Sequence, residues 1–251
     1  MTLVNLRPIA SALALVAILA SDKTAAEGVR EVRPDLEVEQ LAPGVWRHVS
    51  YMNLPTYGNS PANGMVVICD SAAVVIDTPW TDAQTEALFA WLADSLGLRV
   101  VAVVPCHAHD DCIGGLAAAH RMGATSYALD HTIEFARRDG KEIPQHAFAD
   151  SMSLAMGGRE ILLLHAGPGH TPDNIVAWVP DQRVLFGGCL VRSEAAKDMG
   201  NTAEADLQGW PGTISNLLAR FPDAQVIIPG HGSPGGLELL RHTVELLAER
   251  E

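Results

Sequence analysis

Short runs of β-branched and other apolar residues recur along the chain, and Gly, Pro, Asn or Asp bounds each of them. Such runs between turn-forming residues predict buried or half-buried β-strands. The predicted strands lie at residues 36–51 (around a turn at Pro43-Gly44), 65–69, 73–76, 99–104, 126–129, 152–156, 160–164, 175–179, 183–186 and 224–228. Residues 54–64 are instead rich in Pro, Gly and Asn, and they are predicted to form an exposed loop.

Helical segments are predicted between and after these strands. Thr81 is predicted to cap a helix that ends at Gly97, with Gln84 completing a capping box. Further helices are predicted from Gly114-Gly115 through His120, from Asp130 to near Gly140, after Gly209, and from Gly235 to Glu249. Each half of the chain is therefore rich in strands and then helical. This order predicts an α+β fold in which two β-sheets pack face to face with helices outside, a four-layer αββα sandwich.

The N-terminus differs from the rest of the chain. Arg7 precedes an apolar run at residues 9–20, and small residues suit cleavage after Ala20 or Ala26. This pattern predicts a secretory signal peptide at residues 1–26, which leaves one domain of two similar halves at residues 27–251. The run is shorter than the roughly 20 residues of a transmembrane helix, although an uncleaved membrane anchor stays open as the alternative. The mature protein is expected in the periplasm, without stable membrane contact.

Composition and charge limit the classes of molecule that the chain is expected to bind. The formal net charge is -13, which argues against nucleic acid or an anionic membrane surface as a partner. Hydrophobic residues make up 48% of the chain, enough for a sizeable core without disulfides. A small-molecule substrate and a monomeric chain are the default expectations.

The four cysteines are Cys69, Cys106, Cys112 and Cys189. An exported protein could pair them in disulfides. However, Cys106 and Cys112 flank a histidine cluster, and Cys189 follows a Gly-Gly turn, which suits metal chemistry better. Cys69 lies in a predicted strand and is interpreted as a small buried hydrophobic residue.

The segment His107-x-His109-x-Asp111 follows a predicted strand. Two histidines at this spacing can bind one metal ion, and the carboxylate can reach a second ion beside it. Three more predicted strand-to-loop junctions each supply a side chain that can bind metal: His170, Cys189 and His231. Three histidines suit a tetrahedral zinc ion with an open position for water, and the remaining Asp, Cys and His suit a second zinc site.

The motifs HAHDD, GPGHTPDN, GGC and PGHG resemble the metallo-β-lactamase superfamily, and within it the subclass B1 β-lactamases. They occur in the family order and span most of the mature chain. Cys189 separates the chain from superfamily hydrolases that carry a bridging aspartate at that point. His107 separates it from the mononuclear subclass, which carries Asn there.

The resemblance implies roles for further residues. Asp111 and Asn201 are expected to act in catalysis, Asn201 by holding the lactam carbonyl, and Arg192 is expected to bind the substrate carboxylate. Asp77 and Asp173 match positions beside the ligands that orient them. Leu54, Tyr57 and Trp80 are expected to contact the substrate, the first two from a hairpin that covers it.

Cys112 departs from the family pattern. Many relatives carry Arg there, and a thiol cannot hold Asp111 as a guanidinium would. The second zinc ion is therefore expected to be held less firmly than the first.

The function that the resemblance implies is zinc-dependent hydrolysis of the β-lactam amide by a zinc-bound hydroxide. Penicillins, cephalosporins and carbapenems all carry the required lactam and carboxylate, so the activity would confer antibiotic resistance. Two alternatives stay open: another zinc hydrolase of the same fold, such as a thioesterase or lactonase, and an inactive exported zinc-binding protein.

Overall fold

The computed structural model describes residues 28–249, so the predicted signal peptide lies outside the described residues. Two β-sheets and six helices form the described part of the chain. No helix within residues 28–249 is long and apolar enough to cross a membrane.

The first sheet has eight strands that lie in chain order. Its first five strands pair antiparallel and its last four pair parallel, with β5 shared by both parts. The strands are β1 (Arg30–Arg33), β2 (Leu36–Ala42), β3 (Val45–Leu54), β4 (Gly58–Cys69), β5 (Ala72–Ile76), β6 (Arg99–Val104), β7 (Thr125–Leu129) and β8 (His146–Phe148).

The second sheet has five strands in the order β13-β12-β11-β10-β9. Only β12 and β13 among them pair parallel. The strands are β9 (Ser151–Met156), β10 (Arg159–Leu164), β11 (Val176–Val179), β12 (Val184–Gly188) and β13 (Val226–Pro229). Each sheet is thus built from one half of the chain.

Helices cover the outer face of each sheet. Apolar side chains of both sheets form one buried cluster between them, which includes Met65, Ile161 and Phe186. Two further apolar clusters pack the helices against the outer faces. The helices are α1 (Asp82–Leu96), α2 (Asp110–Ile113), α3 (Leu116–Arg121), α4 (Asp130–Arg138), α5 (Trp210–Arg220) and α6 (Glu238–Ala248). The predicted αββα sandwich is confirmed.

The prediction of an exposed loop at residues 54–64 is wrong. β3 continues to Leu54 and β4 begins at Gly58, so only a short turn separates them. Leu54 pairs with Gly58 and Tyr51 with Pro61, and Ala62 is buried. Pairing across the hairpin satisfies the backbone N–H and C=O groups of this stretch, so it forms a strand although its composition is typical of a turn.

Two helix starts differ in detail from the prediction. Thr81 does cap α1, since its hydroxyl accepts a hydrogen bond from the Gln84 N–H at 3.2 Å. The Gln84 side chain does not complete a capping box, because its Oε1 accepts from the Thr81 hydroxyl at 3.0 Å and not from the Thr81 N–H. Its Nε2 donates to the Asp35 and Tyr51 carbonyls and so ties α1 to the first sheet. Asp130 is the first residue of α4 and not its cap.

The two sheets meet at the edge where β6, β12 and β13 end. The Asn63 N–H donates to the Gly230 carbonyl at 2.8 Å, and the Ile175 N–H donates to the Cys106 carbonyl at 2.9 Å. The first bond joins β4 to the loop after β13, and the second joins the residue directly before β11 to the loop after β6. All the predicted metal ligands lie at this edge.

Candidate metal centre

The histidine motif follows β6 in a loop whose backbone is held by two buried carboxylates. Asp77 Oδ1 accepts a hydrogen bond from the Cys106 N–H at 2.6 Å. Asp173 Oδ2 accepts one from the Ala108 N–H at 3.0 Å. The two aspartates that the sequence placed beside the ligands therefore lie there, and they hold the loop backbone and not the imidazole rings.

His107, His109 and His170 converge on one point. Their nearest nitrogen atoms all lie within 4.8 Å of one another, and His170 Nε2 lies 3.3 Å from His109 Nδ1. His107 Nε2 is buried and has no hydrogen-bond partner within residues 28–249. An unpartnered buried nitrogen is costly, and a metal ion would satisfy it.

Asp111, Cys189 and His231 form a second set of donors beside the first. Cys189 Sγ lies 3.3 Å from Asp111 Oδ2 and 3.4 Å from His231 Nε2. His231 Nε2 lies 3.2 Å from Asp111 Oδ2. The other oxygen of the same carboxylate, Asp111 Oδ1, lies 4.0 Å from His107 Nε2. Asp111 thus joins the two sets.

These spacings fit zinc. A tetrahedral ion with zinc–nitrogen bonds of about 2.0–2.1 Å holds its nitrogen donors about 3.3 Å apart, and the longer bond to sulfur widens that only slightly. The distances of 3.2–3.4 Å between donor atoms match this. Imidazole, thiolate and carboxylate are also the ligands that zinc prefers.

Glycines let the loop after β13 approach the loop after β12. A Cβ on Gly230 would lie 2.5 Å from Cys189 Sγ, so no larger residue fits there without displacing the thiol. Gly188 directly precedes Cys189 and has a left-handed backbone with φ 54°. A residue other than glycine would be strained at Gly188.

His231 is oriented by the first sheet. Its Nδ1 hydrogen-bonds the Pro61 carbonyl at 2.6 Å, which directs Nε2 toward Cys189. The buried Asn63 side chain donates to the Pro229 and Gly232 carbonyls, both at 2.8 Å. Asn63 therefore holds the turn that carries His231 on both sides.

The protonation states of His107, His170 and Asp111 suit a cation. Burial, with a smaller contribution from the neighbouring His109, lowers the pKa of His170 to about 3. Burial also holds the pKa of His107 well below its usual value. Burial alone would raise the pKa of Asp111, but a hydrogen bond from His231 and the nearby imidazoles hold it well below normal. Neutral imidazoles and an ionised carboxylate are the forms that bind metal.

Cys112 lies close to both donor sets, next to His107 of the first set and to Asp111 and Cys189 of the second. Its Sγ is 3.2 Å from His107 Nδ1, and its thiol is buried. A hydrogen bond from Cys112 lowers the pKa of Cys189 to about 7, against the effect of burial. Burial and the hydrogen bond to Cys189 raise the pKa of Cys112 itself. These opposite pKa directions favour the thiolate at Cys189 and the thiol at Cys112. All four cysteines are free thiols.

Sequence reasoning missed Glu204. Its Oε2 lies 2.8 Å from His109 Nε2, which directs His109 Nδ1 toward His170. Arg138 in turn pairs with Glu204 Oε1 at 3.0 Å. The available signal was a carboxylate three residues after Asn201, which the resemblance had already assigned to catalysis.

One cavity of about 480 Å³ opens onto the donors. The residues predicted to contact the substrate all line it: Leu54, Tyr57, Trp80, Arg192 and Asn201. Tyr57 is exposed at the tip of the β3–β4 hairpin, and the Trp80 indole N–H is buried without a partner in the described chain. A cavity of this size suits a small organic molecule.

Comparisons with known proteins place this geometry in a family. The family model described as the metallo-beta-lactamase superfamily matches residues 57–231. The chain is 41% identical over 217 residues to a metallo-beta-lactamase type 2 of Bacteroides fragilis, which covers 86% of this chain and 87% of the relative. It is 38% identical over 189 residues to metallo-beta-lactamase IND-1 of Chryseobacterium indologenes. The matched region covers 75% of this chain and 79% of that relative.

A solved structure agrees with these relatives. The metallo-beta-lactamase from Pontibacter korlensis superposes with a TM-score of 0.82 and 40% identity, covering 85% of this chain and 99% of that one.

Replacing Cys189 tests the second donor set. Cys189→Ser keeps a similar side-chain volume but removes the thiolate, and a serine hydroxyl is a poor ligand for zinc at neutral pH. The variant is expected to retain about one zinc ion fewer per chain than the unaltered protein after gel filtration, by elemental analysis. Cys69→Ser, which alters a core thiol away from the site, is the control and should leave the zinc content unchanged. Full zinc content in Cys189→Ser would remove Cys189 from the site.

Proposed function

This chain belongs to the metallo-β-lactamase superfamily, and we propose that it is a zinc-dependent β-lactamase. Its substrates are the β-lactam rings of penicillins, cephalosporins and carbapenems, and ring opening confers resistance to these antibiotics. Support comes from the relatives named metallo-beta-lactamase and from the chain's own site.

One observation carries the proposal. The donors His107, His109 and His170 lie against the set Asp111, Cys189 and His231 in a single cavity, which also holds the cation Arg192. Hydrolysis of a lactam needs a site for an activated water, a site for the departing nitrogen and an anchor for the substrate carboxylate. The cavity contains side chains suited to all three.

Zinc ions held by these two sets supply a Lewis acid that activates water and polarises the lactam carbonyl. The chain's residues prepare the site for that chemistry. Burial keeps His107 and His170 neutral, Glu204 orients the ring of His109, and Asp111 presents one oxygen to each set. The cavity walls keep the substrate close to both sets.

We assign Arg192 to the carboxylate that all these substrates carry. Its Nε donates to the Asp198 carbonyl at 3.1 Å, which leaves the two terminal nitrogens of the guanidinium beside Gly200. A guanidinium can bind a carboxylate with two parallel hydrogen bonds.

We assign Asn201 to the lactam carbonyl. Its Oδ1 accepts a hydrogen bond from the Ala203 N–H at 3.2 Å, which restrains the amide. The Nδ2 of the same amide makes no hydrogen bond within residues 28–249, and Asn201 lines the cavity. A donor held in this way can stabilise negative charge that develops on a carbonyl oxygen.

The direct test is hydrolysis of a cephalosporin and a carbapenem by the purified mature chain, with and without a chelator. We expect ring opening that the chelator abolishes and added zinc restores. A protein that contains zinc but opens neither ring would overturn the proposal. Hydrolysis of a thioester or lactone by that protein would then assign it to another reaction of the same fold.

Arg192→Ala tests the carboxylate anchor. Removing a charge-assisted hydrogen bond to the substrate is expected to raise KM roughly tenfold or more, with a smaller change in kcat. Steady-state kinetics with a penicillin and a cephalosporin measure this, and Arg99→Ala at the exposed start of β6 is the control. If KM does not change, Arg192 is only a surface charge.

We also propose that residues 1–26 direct export and that the mature chain acts as a monomer in the periplasm. The apolar run after Arg7 and the small residues at Ala20 and Ala26 support this. Mass spectrometry of the protein from a periplasmic extract should show a chain beginning after Ala20 or Ala26. A full-length chain found only with the membranes would contradict it.

A further inference from the structure

Lys141 reaches the histidine motif from beyond helix α4. It follows Gly140, whose left-handed backbone (φ 67°) turns the chain back toward the site. Its Nζ donates to the Ala108 carbonyl at 2.7 Å and lies 2.8 Å from Asp110 Oδ1. The side chain is only 22% exposed and forms part of the cavity wall.

The bond to Ala108 completes a clamp on one residue, because a side chain then holds each of the two peptide groups that flank Ala108. Ala108 lies between the ligands His107 and His109, and its N–H already donates to Asp173 Oδ2 at 3.0 Å. Its carbonyl receives the ammonium of Lys141. Both bonds involve a charged partner, and such bonds are short and strong. The chain on the N-terminal side of His109 is therefore fixed in orientation from two directions.

His109 depends on such a clamp more than the other two histidines do. The His107 side chain is 1% exposed, whereas that of His109 is 26% exposed. Dense packing fixes the rotamer of a buried side chain, but a side chain on the rim of a cavity needs hydrogen bonds to fix it. Glu204 holds the ring of His109. Its backbone needs a separate restraint.

We infer that Lys141 is a positioning residue for the three-histidine metal site. It holds the Ala108–His109 peptide group so that His109 Nδ1 faces His170 Nε2. The inference rests on the metal centre of the proposed function and not on the identity of the substrate. Asp110 is 68% exposed, and an ion pair with so exposed a carboxylate stabilises little. The effect of Lys141 is therefore local to the metal site.

Cobalt(II) binding separates the two metal sites. The thiolate-to-cobalt charge-transfer band reports the site of Cys189. The visible d–d absorption, measured in a Cys189→Ser background that lacks the thiolate, reports the three-histidine site. The unaltered mature chain and its variants Lys141→Met and Lys141→Arg are each loaded with Co²⁺ and titrated with a chelator. Arg137→Met is the matched control, because Arg137 is an exposed cation of α4 whose side chain makes no hydrogen bond or ion pair within residues 28–249.

In Lys141→Met, the d–d absorption is expected to disappear at a roughly tenfold lower chelator concentration, as is typical when a group that orients a metal ligand is lost. The charge-transfer band should keep its midpoint. Lys141→Arg should recover most of the loss, because a guanidinium can donate to both oxygens. Arg137→Met should behave like the unaltered protein.

Three results would overturn the inference: no change in Lys141→Met, an equal shift of both bands, or an equal shift in Arg137→Met. The proposed function fails separately. A chain that binds cobalt at both sites in this way but opens no lactam ring would leave the role of Lys141 intact.

Discussion

Six side chains whose lone pairs converge at one edge of a sandwich determine how this protein is built. The donor atoms of His109 and His170 lie 3.3 Å apart, and those of Asp111, Cys189 and His231 lie 3.2–3.4 Å apart. His107 Nε2 is buried and has no partner in the described chain. Such an arrangement is unfavourable by itself, because burial removes the water that would satisfy these groups. A cation satisfies them all at once. The carboxylate of Asp111 couples the two sets, so a shift of α2 would disturb both.

The rest of the fold keeps these donors in place. Each sheet supplies strand ends to the shared edge, and buried polar side chains hold the loop backbones there. Asp77 and Asp173 hold the histidine loop from β6, whereas Asn63 of the first sheet holds the turn after β13 of the second. The apolar core between the sheets sets their separation. The packing of the two sheets therefore also determines the geometry of the metal site.

The sequence predicted the sandwich and the ligands because both depend on local patterns. Apolar runs between turn residues mark strands, and HAHDD places its ligands within a single loop. The contacts that orient the ligands are long-range and have no such pattern. Glu204 lies 95 residues from His109, and Asn63 lies 169 from Gly232. The loop prediction for residues 54–64 was wrong for a related reason. Their composition is that of a loop, but pairing with β3 makes most of them a strand.

Anomalous diffraction at the zinc absorption edge, from crystals of the zinc-loaded mature chain, tests the central claim most directly. The donor geometry predicts two peaks of anomalous density. One should lie against His107, His109 and His170, and the other against Asp111, Cys189 and His231. A single peak, or a second ion bound through Cys112 in place of Cys189, would contradict the account.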